Sequence, residues 1–293
     1  MNARRLLVCC LPLLFLLARC SDDGGSSGGF LTIQSLPSSV GTAWTYQRLA
    51  IAENIRVLHP GGLPPFDTVE SVIQVTVADL VTFNDPGAPP IPASEFITQE
   101  TQLRPSPGSS TEYEYYGVTD SGWYLHGYSG WGAVAPPLKR SPSAVLRFAG
   151  KDFGSMQELL REYGIFCARV TADSTMRLIP PLLEFPLPLS YPREWVYRTA
   201  GSLFFIGKRA ERDTMISLGG KRSPCVVVRW WYDLNGDSLP DDDIDIIDYI
   251  SSIGFLRRVV VVRDIQVISS SGPEPVAIID FRDTFTLTAI TTP

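Results

Sequence analysis

Apolar and polar residues alternate over many short stretches of this chain, which is the pattern of β-strands that bury one face. Residues 73–77 alternate Ile, Val and Val with Gln and Thr. The stretch near the C-terminus is the clearest example, because Ile279, Phe281, Phe285 and Leu287 fall on one face. Such strands pack one face into a core and leave the other face in water.

Two stretches, 226–231 and 259–262, are continuously apolar and predict central strands or strands covered on both sides. Helix signals are scarce. Residues 155–163 predict one short helix, with Ser155 as its N-cap, a glutamate at capping-box spacing, and Gly164 at its end. The sequence therefore predicts an all-β fold of mainly antiparallel sheets, arranged as a sandwich or an open barrel, with at most one short helix.

A segment early in the chain is similar to a segment in its second half. Leu36–Tyr46 and Phe185–Tyr197 each begin with an apolar residue and a proline, pass through a loop, and reach a Trp-x-Tyr sequence that enters a strand. Two such copies indicate duplicated units. We expect two related β units, residues 30–180 and residues 181–293.

The N-terminal segment predicts export from the cytoplasm. Residues 1–19 combine early arginines with a 13-residue apolar run, which is typical of a signal peptide. The run is shorter than the roughly 20 apolar residues that span a bilayer. Residues 20–29 are rich in Gly and Ser and predict a flexible tether.

Cys20 and the residues before it resemble the lipobox of bacterial lipoproteins, in which this cysteine is lipidated and becomes the mature N-terminus. Arg19 stands where that family usually places a small residue, and an ordinary secretory signal is the alternative. We expect an extracytoplasmic protein whose partner is the membrane, reached through lipid on Cys20. Ser21 after the cysteine favours the outer membrane if the host has two membranes.

The chain is acidic, with a net charge of −6, and the loss of three arginines with residues 1–19 makes it −9. Nucleic-acid binding depends on cations that neutralise phosphates, so the charge argues against a nucleic-acid partner. Cys167 and Cys225 remain beside Cys20 after processing. In an oxidising compartment this pair is a disulfide candidate, and two buried thiols are the alternative.

The most specific local motif is Asp-Leu-Asn-Gly-Asp-Ser-Leu-Pro-Asp-Asp-Asp at residues 233–243. Its polar residues have the spacing that begins an EF-hand-like loop, and calcium prefers several oxygen ligands. Ser238 replaces the usual glycine, and Ile244 stands at the closing position, so that Asp243 or Asp245 would have to close the loop. A solvated acidic turn is the alternative. Calcium is the candidate cofactor, and its predicted ligands are Asp233, Asn235, Asp237, the Leu239 carbonyl, Asp241 and Asp243.

Seven aromatic residues lie between positions 113 and 131. Exposed aromatic rings stack on sugars, and a histidine adds a polar contact. The alternative is that these rings fill the core, as aromatic residues in strands commonly do. The candidate ligand platform consists of Tyr113, Tyr115, Trp123, Tyr124 and His126.

Enzyme signatures are absent from the sequence or stand in the wrong context. The two histidines are fewer than a histidine-rich zinc site needs. Residues 24–28 spell a nucleophile-elbow pattern, but they lie in the tether without the required strand and helix. No glycine loop of the phosphate-binding type is present. The sequence names no catalytic residue and favours a non-catalytic role.

Four segments resemble a family of uncharacterised bacterial β-rich lipoproteins. Pro37–Tyr46 is similar to their PLxxGxxWxY opening, Gly117–Tyr124 to a strand pair with a small turn, Phe185–Tyr197 to a second opening, and Ile253–Arg257 to a late strand. The resemblance implies an all-β extracytoplasmic fold. It implies no catalytic residues, because the family has no assigned reaction.

These observations favour a lipid-anchored protein of the cell envelope with a binding or structural role and calcium as a candidate stabiliser. A carrier of an apolar ligand is the first alternative, and it predicts a cavity lined by inward strand faces. A glycan-binding module predicts an outward aromatic row. A hydrolase predicts two carboxylates, or a serine and His126, in one cleft. A glycan and an envelope protein are the candidate partners besides the membrane, and the oligomeric state stays open.

Overall fold

The computed structural model describes residues 31–59, 68–83, 90–130, 144–165, 175–199, 205–237, 239–269 and 272–293. The predicted signal peptide, Cys20 and the tether lie outside these ranges. Within them, the alternating stretches form strands. The elements are β1 (Thr32–Ile33), β2 (Ala43–Val57), β3 (Val69–Phe83), β4 (Ile91–Arg104), β5 (Gly108–Thr119), β6 (Gly122–Gly130), β7 (Ala144–Phe148), β8 (Lys151–Phe153), α1 (Met156–Glu162), β9 (Thr175–Pro186), β10 (Leu189–Ser190), β11 (Arg193–Thr199), β12 (Phe205–Leu218), β13 (Lys221–Asp233), β14 (Asp241–Ser251), β15 (Gly254–Ser269) and β16 (Pro275–Thr291).

Twelve strands form the continuous path of one antiparallel sheet, which contains two runs of neighbouring strands. The first run, the N-terminal meander, is β2-β3-β4-β5-β6-β9, and the second, the C-terminal meander, is β11 to β16. Strand β16 pairs with β2 from Ala277 opposite Val57 to Thr291 opposite Ala43, and this ladder joins the meanders. The prediction of an all-β, mainly antiparallel fold with at most one short helix is confirmed.

The other edges of the two meanders, β9 and β11, meet at a seam. Lys208 on β12 bridges this seam, because its Nζ donates to Glu184 Oε1 on β9 at 2.8 Å and to the Glu184 backbone oxygen at 3.3 Å. The sheet therefore curls into a nearly closed, barrel-like form with an inner and an outer face. Of the two predicted arrangements, it is the one closer to an open barrel.

The two similar sequence segments occupy equivalent places in the meanders. Trp44 lies in β2 and Trp195 in β11, the first strand of each meander, and both are buried. The short strands that precede them, β1 and β10, pair with each other as a separate two-stranded sheet. The predicted boundary at residue 180 falls inside β9, so that a division between the meanders lies after Pro186. An origin of the meanders by duplication stays a prediction.

The segment between β6 and β9 contributes β7, β8 and the helix. Strand β7 pairs with β15, and α1 begins after Ser155, whose Oγ accepts the Glu158 N–H at 3.2 Å. The helix ends before Gly164, which has a φ of +66°. The predicted helix is thus confirmed at both ends. It has seven residues, and no helix in the described ranges is long and apolar enough to cross a membrane.

Two clusters of buried side chains fill the interior. The helix-side core packs Leu159 and Leu160 of α1 against inward residues of the C-terminal meander such as Ile206 and Ile246. Full burial of one such side chain contributes roughly 1.5–3 kcal/mol. The second cluster, the aromatic core, draws residues from both meanders and from the segment that contains β1. A cavity lies beside the aromatic core.

Candidate ligand-binding cavity

The cavity has a volume of about 230 Å³ and is lined by inward-facing side chains of both meanders. An engineered core cavity of about 150 Å³ in another protein holds benzene, so this cavity has room for a molecule somewhat larger than one ring. Val75, Tyr116, Phe255 and Phe285 line it and are only half-buried. The cavity therefore leaves part of their surface uncovered.

One part of the lining is an aromatic wall. The ring centroid of Phe96 lies 5.0 Å from that of Tyr116, 5.6 Å from that of Trp123 and 6.1 Å from that of Trp44. Phe185 extends the wall at 6.1 Å from Trp123. The buried Nε1–H of Trp123 finds no acceptor among the described residues. Aromatic faces stack on planar groups and attract cations, so the wall suits an aromatic or apolar body.

A hydrogen bond and a glycine hold Trp44 in the aromatic wall. Its Nε1 donates to the Ile253 backbone oxygen at 2.6 Å, in the turn between β14 and β15. Gly254 follows with a φ of +110°, and a Cβ added there would lie 2.8 Å from Trp44 Nε1. Only glycine adopts this backbone conformation readily, and its missing Cβ leaves room for the indole of Trp44. The structure thus brings together two of the four segments that carry the family resemblance.

Another part of the lining is acidic. Glu112, Glu114 and Tyr116 on β5 all face the cavity, because strand residues two apart share a face. Glu100 on β4 also lines the cavity, and it lies diagonally across from Glu112, since the register places Thr98 opposite Glu112. Three glutamates therefore gather on the inner face of two neighbouring strands.

Glu100 belongs to a buried ion network centred on Arg48. Arg48 Nη1 donates to Glu100 Oε1 at 2.9 Å, and its Nη2 donates to Asp283 Oδ2 at 2.6 Å. The Ser71 hydroxyl also donates to Glu100. Burial opposes the charge of Arg48, but the carboxylates of Asp283 and Glu100 outweigh it and raise the pKa of the guanidinium. Arg48 is therefore a charged side chain deep inside the sheet.

A second network matches two further cations with carboxylates. Arg258 forms a bidentate pair with Asp248, with Nε–Oδ1 at 2.6 Å and Nη2–Oδ2 at 3.0 Å. Lys208, which is bonded to Glu184, also has its Nζ 3.8 Å from the ring centroid of Trp230. Burial lowers the pKa of Lys208 to about 8, against the raising effect of Glu184. Cation–π contact and a carboxylate together hold this lysine.

Glu112 differs from these paired groups. Its Oε1 is shielded from solvent and accepts no hydrogen bond within the described part of the chain. Burial, with smaller effects from the charges of Glu114 and Glu100, raises the pKa of Glu112 to about 8, and Arg48 and Arg161 oppose that rise. A carboxyl group with this pKa is mostly neutral at pH 7. It ionises if a positive group comes near.

The residues of the predicted aromatic platform divide between the two faces of the sheet. Trp123 lines the cavity. Tyr113 and Tyr115 lie on the outer face, because the glutamates of β5 occupy the alternate, inward positions. Tyr124 shares that outer face, since it lies opposite Gly117 in the ladder. The structure thus leaves Trp123 apart from the other rings, and glycan binding by the platform stays a prediction.

His126 packs over Gly117 and away from the cavity lining. A Cβ added at Gly117 would lie 2.3 Å from His126 Nε2, so the glycine makes room for the imidazole. Burial and the charge of Arg177 lower the pKa of His126. No serine–histidine pair faces the cavity among its lining residues.

The predicted calcium loop connects β13 to β14, and its side chains bond to its own backbone. Asp233 Oδ1 accepts the Gly236 N–H at 2.7 Å, and Asn235 Oδ1 accepts the Asp237 N–H at 2.9 Å. Asp237 Oδ1 accepts the Leu239 N–H at 2.8 Å. In the ranges described, no group of three or more His, Cys, Asp or Glu side chains is placed to hold a metal ion.

The remaining predicted ligands, Asp241 and Asp243, lie at the start of β14. Asp241 Oδ2 accepts the Leu234 N–H at 2.5 Å. Burial and the neighbouring charge of Asp241 raise the pKa of Asp243. Asp241 stabilises the turn through its backbone hydrogen bond, and calcium binding at the loop stays a prediction.

Cys225 is a buried thiol on β13. Its Sγ lies 3.6 Å from the Thr214 backbone oxygen, and burial raises its pKa to about 11. Cys167, the candidate disulfide partner, lies outside the described residues. The disulfide therefore stays a prediction.

The interior charges were not predicted, although the sequence holds a signal for them. Arg48 lies four residues after Trp44, so the two side chains share the inward face of β2. Asp283 lies between Phe281 and Phe285 on the apolar face of β16. A charged residue on the otherwise apolar face of a strand indicates a buried ion pair or the lining of a cavity.

No protein-family model, curated protein or solved structure matches this chain. The resemblance to bacterial lipoproteins stays a prediction. The cavity and its lining are therefore the features of this molecule that bear on its function.

Proposed function

We propose that this protein binds a small molecule with an apolar or aromatic body inside its sheet and does not transform it. The cavity beside the aromatic wall carries this proposal. Ligand sites are concave and mostly apolar, with a few polar groups that fix orientation. A volume of about 230 Å³ lies below the range of roughly 300–1,000 Å³ for drug-sized ligands, so a molecule with a single ring is the best fit.

We further propose a location for this binding protein, namely the cell envelope, where lipid on Cys20 anchors it. This part is supported by residues 1–29 of the sequence alone. Mass spectrometry of the mature N-terminus tests it. Lipid on Cys20 supports the anchor, and an unmodified Cys20 or a cut at another position contradicts it.

Acid–base catalysis is a second candidate, because Glu112 with its raised pKa lies on the same strand face as Glu114. Pairs of carboxyl groups with different pKa values serve as acid and base in hydrolases. The cavity volume favours binding over hydrolysis, since a substrate and an attacking water must both fit. Turnover of 4-nitrophenyl acetate or a 4-nitrophenyl glycoside that is lost in both Glu112→Gln and Glu114→Gln would favour catalysis.

The binding proposal is tested with 2-phenylethanol, a neutral molecule with one ring. Titration followed by tryptophan fluorescence and calorimetry should give saturable binding, because Trp44 and Trp123 line the cavity. Ser110→Phe places a ring inside the cavity and should weaken binding at least about tenfold. Thr111→Phe adds the same ring on the outer face and should leave affinity within about twofold. Absence of saturable binding, or equal loss in both variants, contradicts the proposal.

A further inference from the structure

Resting on the proposed binding function, we infer that the natural ligand carries a positive charge, as an ammonium group on an apolar or aromatic body. The structure assigns Glu112 as the acceptor of that group, with Glu114 beside it on β5. Three separate features of the structure support this assignment: the pairing of the interior charges, the unsatisfied oxygen of Glu112, and the aromatic wall.

Two cations of the cavity region, Arg48 and Arg258, already hold carboxylates of their own. Arg48 is paired with Asp283 and Glu100, and Arg258 is paired with Asp248 through two hydrogen bonds. An anionic ligand that binds Arg48 or Arg258 would therefore have to compete with a buried ion pair, whose loss is costly. It would also meet the carboxylates that line the cavity. The lining disfavours an anion.

Glu112 supplies a carboxyl group beside the cavity. Its Oε1 is buried and accepts no hydrogen bond from the described residues, although the side chain lines the cavity. A buried polar atom without a partner costs roughly 1–3 kcal/mol, and the cost is larger for a charged group. An ammonium N–H donates to such an oxygen and neutralises the charge that Glu112 acquires on ionisation.

The aromatic wall complements the same ligand. Phe96 contacts Tyr116, and Tyr116 lies two residues from Glu114 on the inner face of β5. Ring faces attract cations, and the attraction rises when water is excluded. A ligand with a ring and an ammonium group can place its ring against the wall and its charge near the glutamates.

Binding of a cation is coupled to the protonation of Glu112. The charged groups that act on it are Glu114 on β5, Glu100 on β4, Arg48 on β2 and Arg161 on α1. Because burial and the two glutamates keep Glu112 protonated near pH 7, an ammonium ion that binds beside it expels about one proton. A neutral or anionic ligand gives no such release.

The experiment compares 2-phenylethylammonium, 2-phenylethanol and 3-phenylpropionate, which share a ring and differ in charge. Calorimetry on the purified wild-type protein at pH 7, in phosphate and in Tris, measures affinity and the protons released. We expect the ammonium ion to bind about tenfold more tightly than the alcohol and to release a proton, and the propionate to bind most weakly.

The variant Glu112→Gln keeps the shape and removes the ionisable group. It should lower ammonium affinity about tenfold and abolish proton release, and it should leave alcohol affinity within about twofold. Glu95→Gln, on the outer face of β4, is the matched control and should change neither quantity. Glu114→Gln, which should lower ammonium affinity by a smaller factor, provides a second variant if Glu112→Gln does not fold.

The outcomes separate the two proposals. Equal binding of ammonium and alcohol, tightest binding of propionate, or ammonium binding without proton release overturns the charge assignment and leaves the binding function standing. Absence of saturable binding by all three molecules overturns the binding function, and the charge assignment falls with it.

Discussion

The helix-side core and the aromatic core are enclosed by the same sheet, but they are filled differently. At the helix side, α1 places Met156, Leu159 and Leu160 against the inner face of the strands, and these side chains have almost no exposed surface. Beside the aromatic core, inward positions hold glutamates and rings around a cavity of about 230 Å³. The interior of a curled sheet widens as strands are added. Here the inserted segment fills one part, and the part beside the aromatic core is left as a cavity.

The carboxylates of the interior show a second contrast. Asp283 is held by Arg48, so that its charge is balanced inside the fold. Glu112 has no such bond at its Oε1 within the described residues. We expect the first carboxylate to serve stability, and our proposal assigns the second to ligand binding. Five measurements test these two contrasts: the filled core against the cavity, and the paired carboxylate against the unpaired one.

The largest expected effect is that of Arg48→Ala. The variant leaves the carboxylates of Asp283 and Glu100 buried without their cation, and such a loss costs about 3–5 kcal/mol. Urea unfolding measures the change in the free energy of unfolding. Arg56→Ala removes the exposed pair with Asp264 and should cost less than about 1 kcal/mol. Equal costs at both sites would contradict a special role for the buried network.

A truncation in each region compares the filled core with the cavity. Leu160→Ala opens a void in the helix-side core and should lower the free energy of unfolding by about 2–5 kcal/mol. Val75→Ala enlarges an existing space at a half-buried position and should cost about 1 kcal/mol or less. A Val75→Ala loss as large as that of Leu160→Ala would show that the cavity is as tightly packed as the core.

Gly254→Ala tests how the aromatic wall is held. The new Cβ would approach Trp44 Nε1, and alanine is strained at this φ, so we expect a loss of about 2–3 kcal/mol and altered tryptophan fluorescence. Gly150→Ala also has a positive φ, but its Cβ meets nothing within 4 Å. A similar loss at both positions would assign the whole effect to the backbone and none to Trp44.

The raised pKa of Glu112 predicts a pH dependence of stability. The folded state binds its proton up to about pH 8, and the unfolded state releases it near pH 4.5, so stability is highest below pH 4.5 for this group and falls as the pH rises to 8. The slope is at most about 1.4 kcal/mol per pH unit. Urea unfolding of Glu112→Gln should show a flatter profile between pH 5 and 8 than wild type.

Between pH 5 and 8, Lys208 has little influence on how stability changes with pH. Its pKa is lowered to about 8 in the folded state, so its contribution makes stability rise only above that pH. Identical slopes for wild type and Glu112→Gln between pH 5 and 8 would show that Glu112 titrates normally in the fold.

The smallest expected effect is at the loop between β13 and β14. Asp233→Ala removes the acceptor of the Gly236 N–H and should cost about 1 kcal/mol in thermal or urea unfolding. Calorimetric titration of wild type with calcium chloride tests the calcium prediction in the same samples. Heat that disappears in Asp233→Ala and Asp237→Ala would establish binding, and no heat in any of the three proteins would end that hypothesis.

Much of the fold follows from local patterns. Alternation predicts the strands, and Ser155 with Gly164 predicts the limits of α1, because capping is decided by neighbouring residues. The order of the strands and the insertion of α1 into one side depend on contacts between distant residues, which periodicity does not report. The predicted boundary at residue 180 falls within β9, and the division into two units stays a prediction.

The cavity was harder to predict than the sheet. Tyr113 and Tyr115 are larger and less polar than the glutamates with which they alternate. Hydrophobicity therefore suggests that they face inward, but the structure turns Glu112 and Glu114 to the inside. Alternation defines two faces without saying which one is enclosed when one face is aromatic and the other is acidic. The partners of a buried charge decide this, and they lie on other strands.

The ladder between β16 and β2 affects the order in which the sheet can fold, because it joins strands from opposite ends of the sequence. Arg48 pairs with Asp283, which lies 235 residues further along the chain. Until β16 docks, the edge of β2 stays open and Arg48 lacks its partner Asp283, because closing so long a loop comes late in folding. If residues 1–19 direct export as the sequence predicts, this late closure suits a chain that is transported before it folds.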